Sequence, residues 1–281
     1  MKLSTTCLAA LAALTIAGPA SAAALLFSDN FDSERVGELV FNDSSALSAD
    51  QSGSAATRTY TTILGGGWEG AYQRGNGGTW LMYAGTSGFG STSMQGSLNY
   101  DIADAANSVG QAVQISFNMS VSNGVTTDEW TSFTIGNQNP FVNAGSVGLG
   151  ALFRDSGATQ QFSNGGEIGS SATFTDGQLI TFVLSDATGV GSAFNASNGA
   201  NDIVQMYVNG SLINTWTNLN LDATDQFISF HASNTVANID NLTITAIPEP
   251  TAALLGGLGL LALLSSSRAG SRLPSLKPRD D

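Results

Sequence analysis

The chain has 281 residues, with 22 acidic against 9 basic side chains, a formal net charge of −13, one histidine and one cysteine. That excess of negative charge makes nucleic acid and anionic lipid surfaces poor partners, and leaves neutral sugars and divalent cations open. Cys7 stands close to the N-terminus, so disulfide staples, cysteine zinc sites and cysteine nucleophiles are excluded from the rest of the chain.

Lys2, the apolar run Leu8 to Ala17, Gly18-Pro19 and the small residues Ala20-Ser21-Ala22 follow one another in the order of a secretory signal peptide, with cleavage expected after Ala22. Residues 23–246 then contain no lysine and only Arg35, Arg58, Arg74 and Arg154 as basic residues. Their wealth of Gly, Ser, Thr and Asn fits one large all-β domain built from strands and polar turns. Leu25-Leu26-Phe27 reads as a short strand running into the Asx-rich corner Ser28-Asp29-Asn30-Phe31-Asp32, and Gly65 to Gly78 reads as a long loop.

Thr79 to Tyr83 and Ser97 to Ile102 come next as strands. In Val113 to Val121 the apolar Val113, Ile115, Phe117, Met119 and Val121 alternate with polar residues, which requires one dry and one wet face. Trp130 to Ile135, Val147 to Arg154 and Leu179 to Leu184 follow, the last after an Asp176-Gly177 turn. Ile203 to Val208, Asn209-Gly210 and Ser211 to Trp216 form a hairpin, because Asn-Gly supplies the positive φ angles of a two-residue turn. Phe227 to Ala232 and Ile239 to Thr245 complete the set, which predicts a two-sheet sandwich or a barrel.

Beyond the body stand Ile247-Pro248-Glu249-Pro250, the Gly-interrupted apolar run Thr251 to Leu264, and Arg268, Arg272, Lys277 and Arg279. A Pro-x-Pro break, an apolar helix of about 21 Å and a basic tail read as a short membrane anchor. Together with the signal peptide, this order resembles the PEP-CTERM sorting domain of exported bacterial proteins, with Pro248, Glu249 and Pro250 as its motif. The resemblance covers residues 247–281. It implies recognition by exosortase, a membrane anchor at the inner membrane before processing, a later place at the cell surface or outside the cell, and an exopolysaccharide setting.

The second half of the body, with Tyr207-Val208-Asn209-Gly210 ahead of Ile239-Asp240-Asn241-Leu242, resembles the concanavalin or laminin-G type of jelly roll. The fold class expected is therefore all-β, a jelly-roll β-sandwich followed by a single C-terminal transmembrane helix. The resemblance implies that the first and last strands pair, which would bring Asp29, Asn30 and Asp32 near Asp240 and Asn241. Such hard oxygen ligands suit a structural calcium ion; the same residues also serve as Asx turns at strand ends.

Trp68, Tyr72, Trp80 and Tyr83 are the densest aromatic group, interleaved with Glu69, Gln73, Arg74 and Asn76. Flat rings stack on sugar faces while neighbouring polar groups bond hydroxyls, so Trp68, Tyr72, Arg74 and Trp80 are candidate saccharide contacts, with core packing as the other account of Trp80 and Tyr83. Trp130 and Trp216 read as core. A glycosidase needs two carboxyls held roughly 5 to 10 Å apart. The Glu-x-Asp-x-x-Glu strand of jelly-roll glucanases is absent, and the adjacent Asp128 and Glu129 would face opposite ways. His231, the sole histidine, falls by alternation on the face of Phe227 and Ser229, opposite Ile228 and Phe230, and lies in no nucleophile motif, so a surface or packing role is expected. A non-enzymatic saccharide-binding protein is the first reading of the whole; a polysaccharide hydrolase or lyase is the alternative.

Overall fold

The structure, a computed structural model, describes residues 23–32, 51–53, 60–64, 71–75, 79–84, 93–100, 102, 111–122, 130–136, 147–171, 174–186, 202–219, 221 and 227–247. All of these lie in one compact unit, Ala23–Ile247. The leader 1–22, the motif Pro248-Glu249-Pro250, the apolar run 251–264, Trp68, and Asp128 with Glu129 lie outside the described residues. Among the described residues no helix is long and apolar enough to cross a membrane.

The strands are β1 (Ala24–Asp29), β2 (Tyr60–Leu64), β3 (Ala71–Gly75), β4 (Trp80–Ala84), β5 (Ser93–Asn99), β6 (Ala112–Ser122), β7 (Trp130–Gly136), β8 (Val147–Phe153), β9 (Thr159–Ser163), β10 (Gly166–Ser171), β11 (Gln178–Asp186), β12 (Asp202–Val208), β13 (Ser211–Leu219), β14 (Phe227–Ser233) and β15 (Val236–Ile247). They form two sheets. One runs β13-β12-β11-β6-β15-β4-β3 with β1 also on β15, and the other runs β10-β9-β8-β7-β14-β5-β2. Every ladder is antiparallel, as expected of a jelly-roll sandwich.

Alternation decides which residues meet between the sheets. Phe117 from β6, Phe182 from β11 and Trp80 from β4 face Phe133 from β7 and Phe230 from β14, all fully buried. Ring centroids lie 4.4 Å apart for Phe133–Phe182, 4.9 Å for Phe117–Phe230 and 5.4 Å for Trp80–Phe230, the last two edge to face. Trp216 is buried as expected and donates its indole N–H to the Phe162 carbonyl at 3.0 Å, joining β13 to β9 across the two sheets.

The hairpin through Asn209-Gly210 forms as its turn chemistry predicts, with φ of 51° and 81°. Asn164-Gly165, with φ of 46° and 78°, turns β9 into β10 in the same way. Sequence reading missed this hairpin although it carries the same dipeptide, because its strands are short and polar. The expected loop Gly65 to Gly78 is corrected in part, since Ala71–Gly75 is a strand paired with β4. A short, Gly-bounded segment shows little periodicity, and it is cross-strand pairing that makes it β.

Trp80 needs a larger correction. Its ring lies in the core, 6.0 Å from Phe31 and edge-on to Phe230, so it presents no face to a ligand. Trp80→Ala is expected to destabilise the domain by about 3–5 kcal/mol through lost burial and the cavity left behind. Urea unfolding followed by circular dichroism reads this directly; an unchanged midpoint would contradict the core placement.

Candidate functional site

The site is made where β15 changes partner. Val236–Ile239 pair with β4, and beyond them Leu242–Ala246 pair with β1. At the changeover β15 is out of step with β6, because the three steps from Asp240 to Thr243 span the two from Asn118 to Ser116. Asn241, at φ 52°, takes up the extra position, a conformation asparagine tolerates better than most side chains. Ile239 and Leu242 can then both face the core although they stand three positions apart.

On the opposite face of this strand an open cleft of about 390 Å³ is lined by Thr79, Asn118, Met119, Ser120, Gly177, Asn238, Asp240 and Asn241. Asn118 and Ser120 are outward residues of β6, in register with Asp240 and Asn238 of β15, so two cross-strand polar pairs form the floor. Asn118 donates to the Gly177 carbonyl at 3.1 Å, Asn238 donates to Ser120 Oγ at 3.4 Å, and Thr79 donates to Asn238 Oδ1 at 3.2 Å. The Asp176-Gly177 turn is held as a wall, with Asp176 Oδ1 accepting from Val121 N at 2.8 Å and Gly177 N donating to the Met119 carbonyl.

Carboxamides have more donor and acceptor capacity than these bonds use, so the floor can take the hydroxyls of a bound ligand in both senses. Asp240 is the one carboxylate among the described lining residues. Burial pushes its pKa above the usual carboxylate range, the Asn241 N–H pulls it back, and the negative Asp32 pushes it up again.

The first and last strands do pair, which carries Asp29 toward the Asp240-Asn241 changeover. β1 lies beside β15 with Asp29 opposite Leu242. The side chains here are engaged as Asx turns: Asp29 Oδ1 accepts from Phe31 N at 3.2 Å, and Asn30 Oδ1 accepts from Asp32 N at 3.5 Å. Asn30 also donates to Asp32 Oδ2 at 2.7 Å, and Asn241 donates from its side chain to Asp240 Oδ2 at 2.9 Å. Among the described residues no group of three or more Asp, Glu, His or Cys is placed to hold a metal.

Of the aromatic group expected to bind sugar, Trp68 lies outside the described residues. Trp80 is core, while Tyr72 and Arg74 lie on β3, in register with Tyr83 and Leu81. The amide floor went unrecognised in sequence, although Asn118 and Ser120 were visible as the wet row of the clearest strand; what was missing was which strand lay beside it.

A second polar patch covers the non-core face of the other sheet. Trp130, expected in the core, is half-buried there, edge-on to His231 with centroids 4.7 Å apart. His231 is 2% exposed, and burial lowers its pKa to about 4. Ser97 and Ser229 pair through their hydroxyls at 2.7 Å nearby.

No protein-family model and no curated protein sequence matches this chain. Among solved structures it is similar to the Emp47p carbohydrate recognition domain, with TM-score 0.47 and 10% identity over 79% of this chain and 94% of that one. The potassium-bound Emp46p carbohydrate recognition domain gives TM-score 0.44 and 13% identity over 66% and 87%. Alginate lyase Aly36B gives TM-score 0.40 and 14% identity over 81% and 99%.

The depressed His231 pKa has a sign. The unfolded chain takes up the proton near 6.5 and the folded one near 4, so the stability this residue contributes is full above 6.5 and is lost as pH falls toward 4. His231→Gln is expected to lose less stability on acidification, by on the order of 3 kcal/mol at the acid end. Urea midpoints of the two proteins across this range test it, the shared titrating groups cancelling; parallel curves would contradict a neutral buried imidazole.

Proposed function

We propose that this protein is an exported, non-enzymatic saccharide-binding domain, and that the cleft over β6 and β15 is where a neutral sugar sits. The observation that carries the reading is the make-up of the floor: Asn118, Asn238 and Asn241 with Ser120 and one carboxylate. Amides and hydroxyls of this kind bond sugar hydroxyls through both donors and acceptors. Two-carboxyl hydrolysis has no such pair among the described lining residues. Asp240 beside Asp32, in a chain of net charge −13, favours neutral polymers over polyuronates.

Pro248-Glu249-Pro250, the apolar run and the basic tail give the protein its place in this reading. It is sorted by exosortase from an inner-membrane-anchored form to the cell surface or beyond, among exopolysaccharide. A calcium ion at the corner of Asp29, Asn30, Asp32 and Asp240 belongs to the same reading, where it would pin β1 to β15 beside the cleft.

Binding is tested with the full-length protein on a panel of neutral and acidic polysaccharides. Asn118→Ala and Asp240→Asn are expected to weaken neutral-glycan binding about ten-fold, through one or two lost hydrogen bonds each, with the fold retained by circular dichroism and the melting temperature of Asn118→Ala lowered by no more than the loss of its Gly177 bond allows. Unaltered affinity in both variants, or preference for an acidic polymer, would overturn the assignment. Sorting is tested by replacing Pro248, Glu249 and Pro250 with alanine, which is expected to leave a longer, membrane-retained product on fractionation; identical processing of variant and parent would overturn it.

A further inference from the structure

Asp186 ends β11 and Asp202 begins β12, and the two stand directly opposite each other in the antiparallel ladder. Each continues the inward row of its strand, after Ile180, Phe182 and Leu184 in one and before Val204, Met206 and Val208 in the other. Both are buried, at 3% and 0% exposure. Residues so placed have Cβ atoms about 4.5–5.5 Å apart, where like charges repel, and burial amplifies that repulsion.

Asp202 Oδ2 accepts the Leu221 N–H at 2.7 Å. Its Oδ1 is buried without a hydrogen-bond partner. A buried carboxylate oxygen without a donor is costly, and a facing acid makes it more so, so the pair as it stands calls for positive charge at Oδ1.

We propose that Asp186 and Asp202 bind a divalent cation of the calcium class, with Asp202 Oδ1 as its inner ligand. Carboxylate oxygens are the hard donors such an ion takes, and water or backbone carbonyls complete its shell. The ion ties the end of β11 to the start of β12 and, through the Leu221 bond, to the chain beyond β13. It sits at the opposite end of β11 from Gly177, about 30 Å along the strand from the saccharide cleft, so it stands or falls independently of sugar binding.

The test uses the full-length protein, stripped with a chelator and titrated with calcium chloride at pH 7.5, read by calorimetry and by melting temperature. Calcium is expected to bind and to raise the melting temperature of the parent. Asp186→Asn and Asp202→Asn are expected to lose this site, binding calcium there at least about ten-fold more weakly, while Asp155→Asn, on an exposed turn outside both candidate sites, keeps parental affinity. Asparagine at 202 retains an oxygen for the Leu221 N–H, and circular dichroism verifies the fold; should that variant unfold, Asp186→Asn carries the comparison. No binding by the parent overturns the proposal, as does parental affinity in Asp186→Asn and Asp202→Asn. Loss confined to Asp240→Asn also overturns it and moves the ion to the terminal corner.

Discussion

The pairing of β15 is the constraint on which the rest depends. One edge of that strand lies along β6 for almost its whole length, while the other is shared between β4 and β1. Two strands from distant parts of the chain can dock on one edge only if the strand is long and changes its inward phase where one partner gives way to the other. The Asp240-Asn241 bulge provides that change. A sheet tolerates one extra residue when its backbone can enter the left-handed region, and asparagine does so at modest cost. Without the bulge, Leu242, Ile244 and Ala246 would turn outward, and Thr243, whose hydroxyl meets Ser116 at 2.7 Å, would turn in.

The same bulge explains why polar chemistry gathers there. Removing a strand from perfect register exposes side chains that would otherwise stand in a flat row, and it opens space between Asn118 on one side and Thr79 on the other. The cleft therefore opens where β15 passes from β4 to β1. Its floor is held by side-chain bonds to Gly177, Ser120 and Asn238, and these fix the amides before any ligand arrives. Asp32 stands close enough to raise the cost of ionising Asp240, so negative charge at this corner is already crowded.

The molecule also carries polar groups on buried surfaces where hydrocarbon would pack more simply. His231, Ser132, Thr134 and Ser229 lie on the non-core face of β7 and β14 and are nonetheless buried. Asp186 and Asp202 extend the core rows of their strands with acids. In the acid pair, alternation continues past the end of the hydrophobic layer, and the residues there inherit an inward position whose chemistry differs from that of the core.

Local physics alone determined a good deal. Side chains along a strand point alternately to either side, so the run from Val113 to Val121 assigned Phe117 and Met119 to the core and Asn118 and Ser120 to the opposite face. Asn209-Gly210 specified its hairpin because two positive φ angles are a property of the dipeptide. Composition and the lone cysteine bounded the chemistry in the same local way. Pairing between distant strands is not local. Only the tertiary structure decided that β15 lies beside β6, that Trp80 faces Phe230 across the core, that Ala71–Gly75 is a strand, and that Asp186 meets Asp202. Each depends on hydrogen bonds and contacts between segments tens of residues apart, and periodicity within a single segment carries no record of its partner.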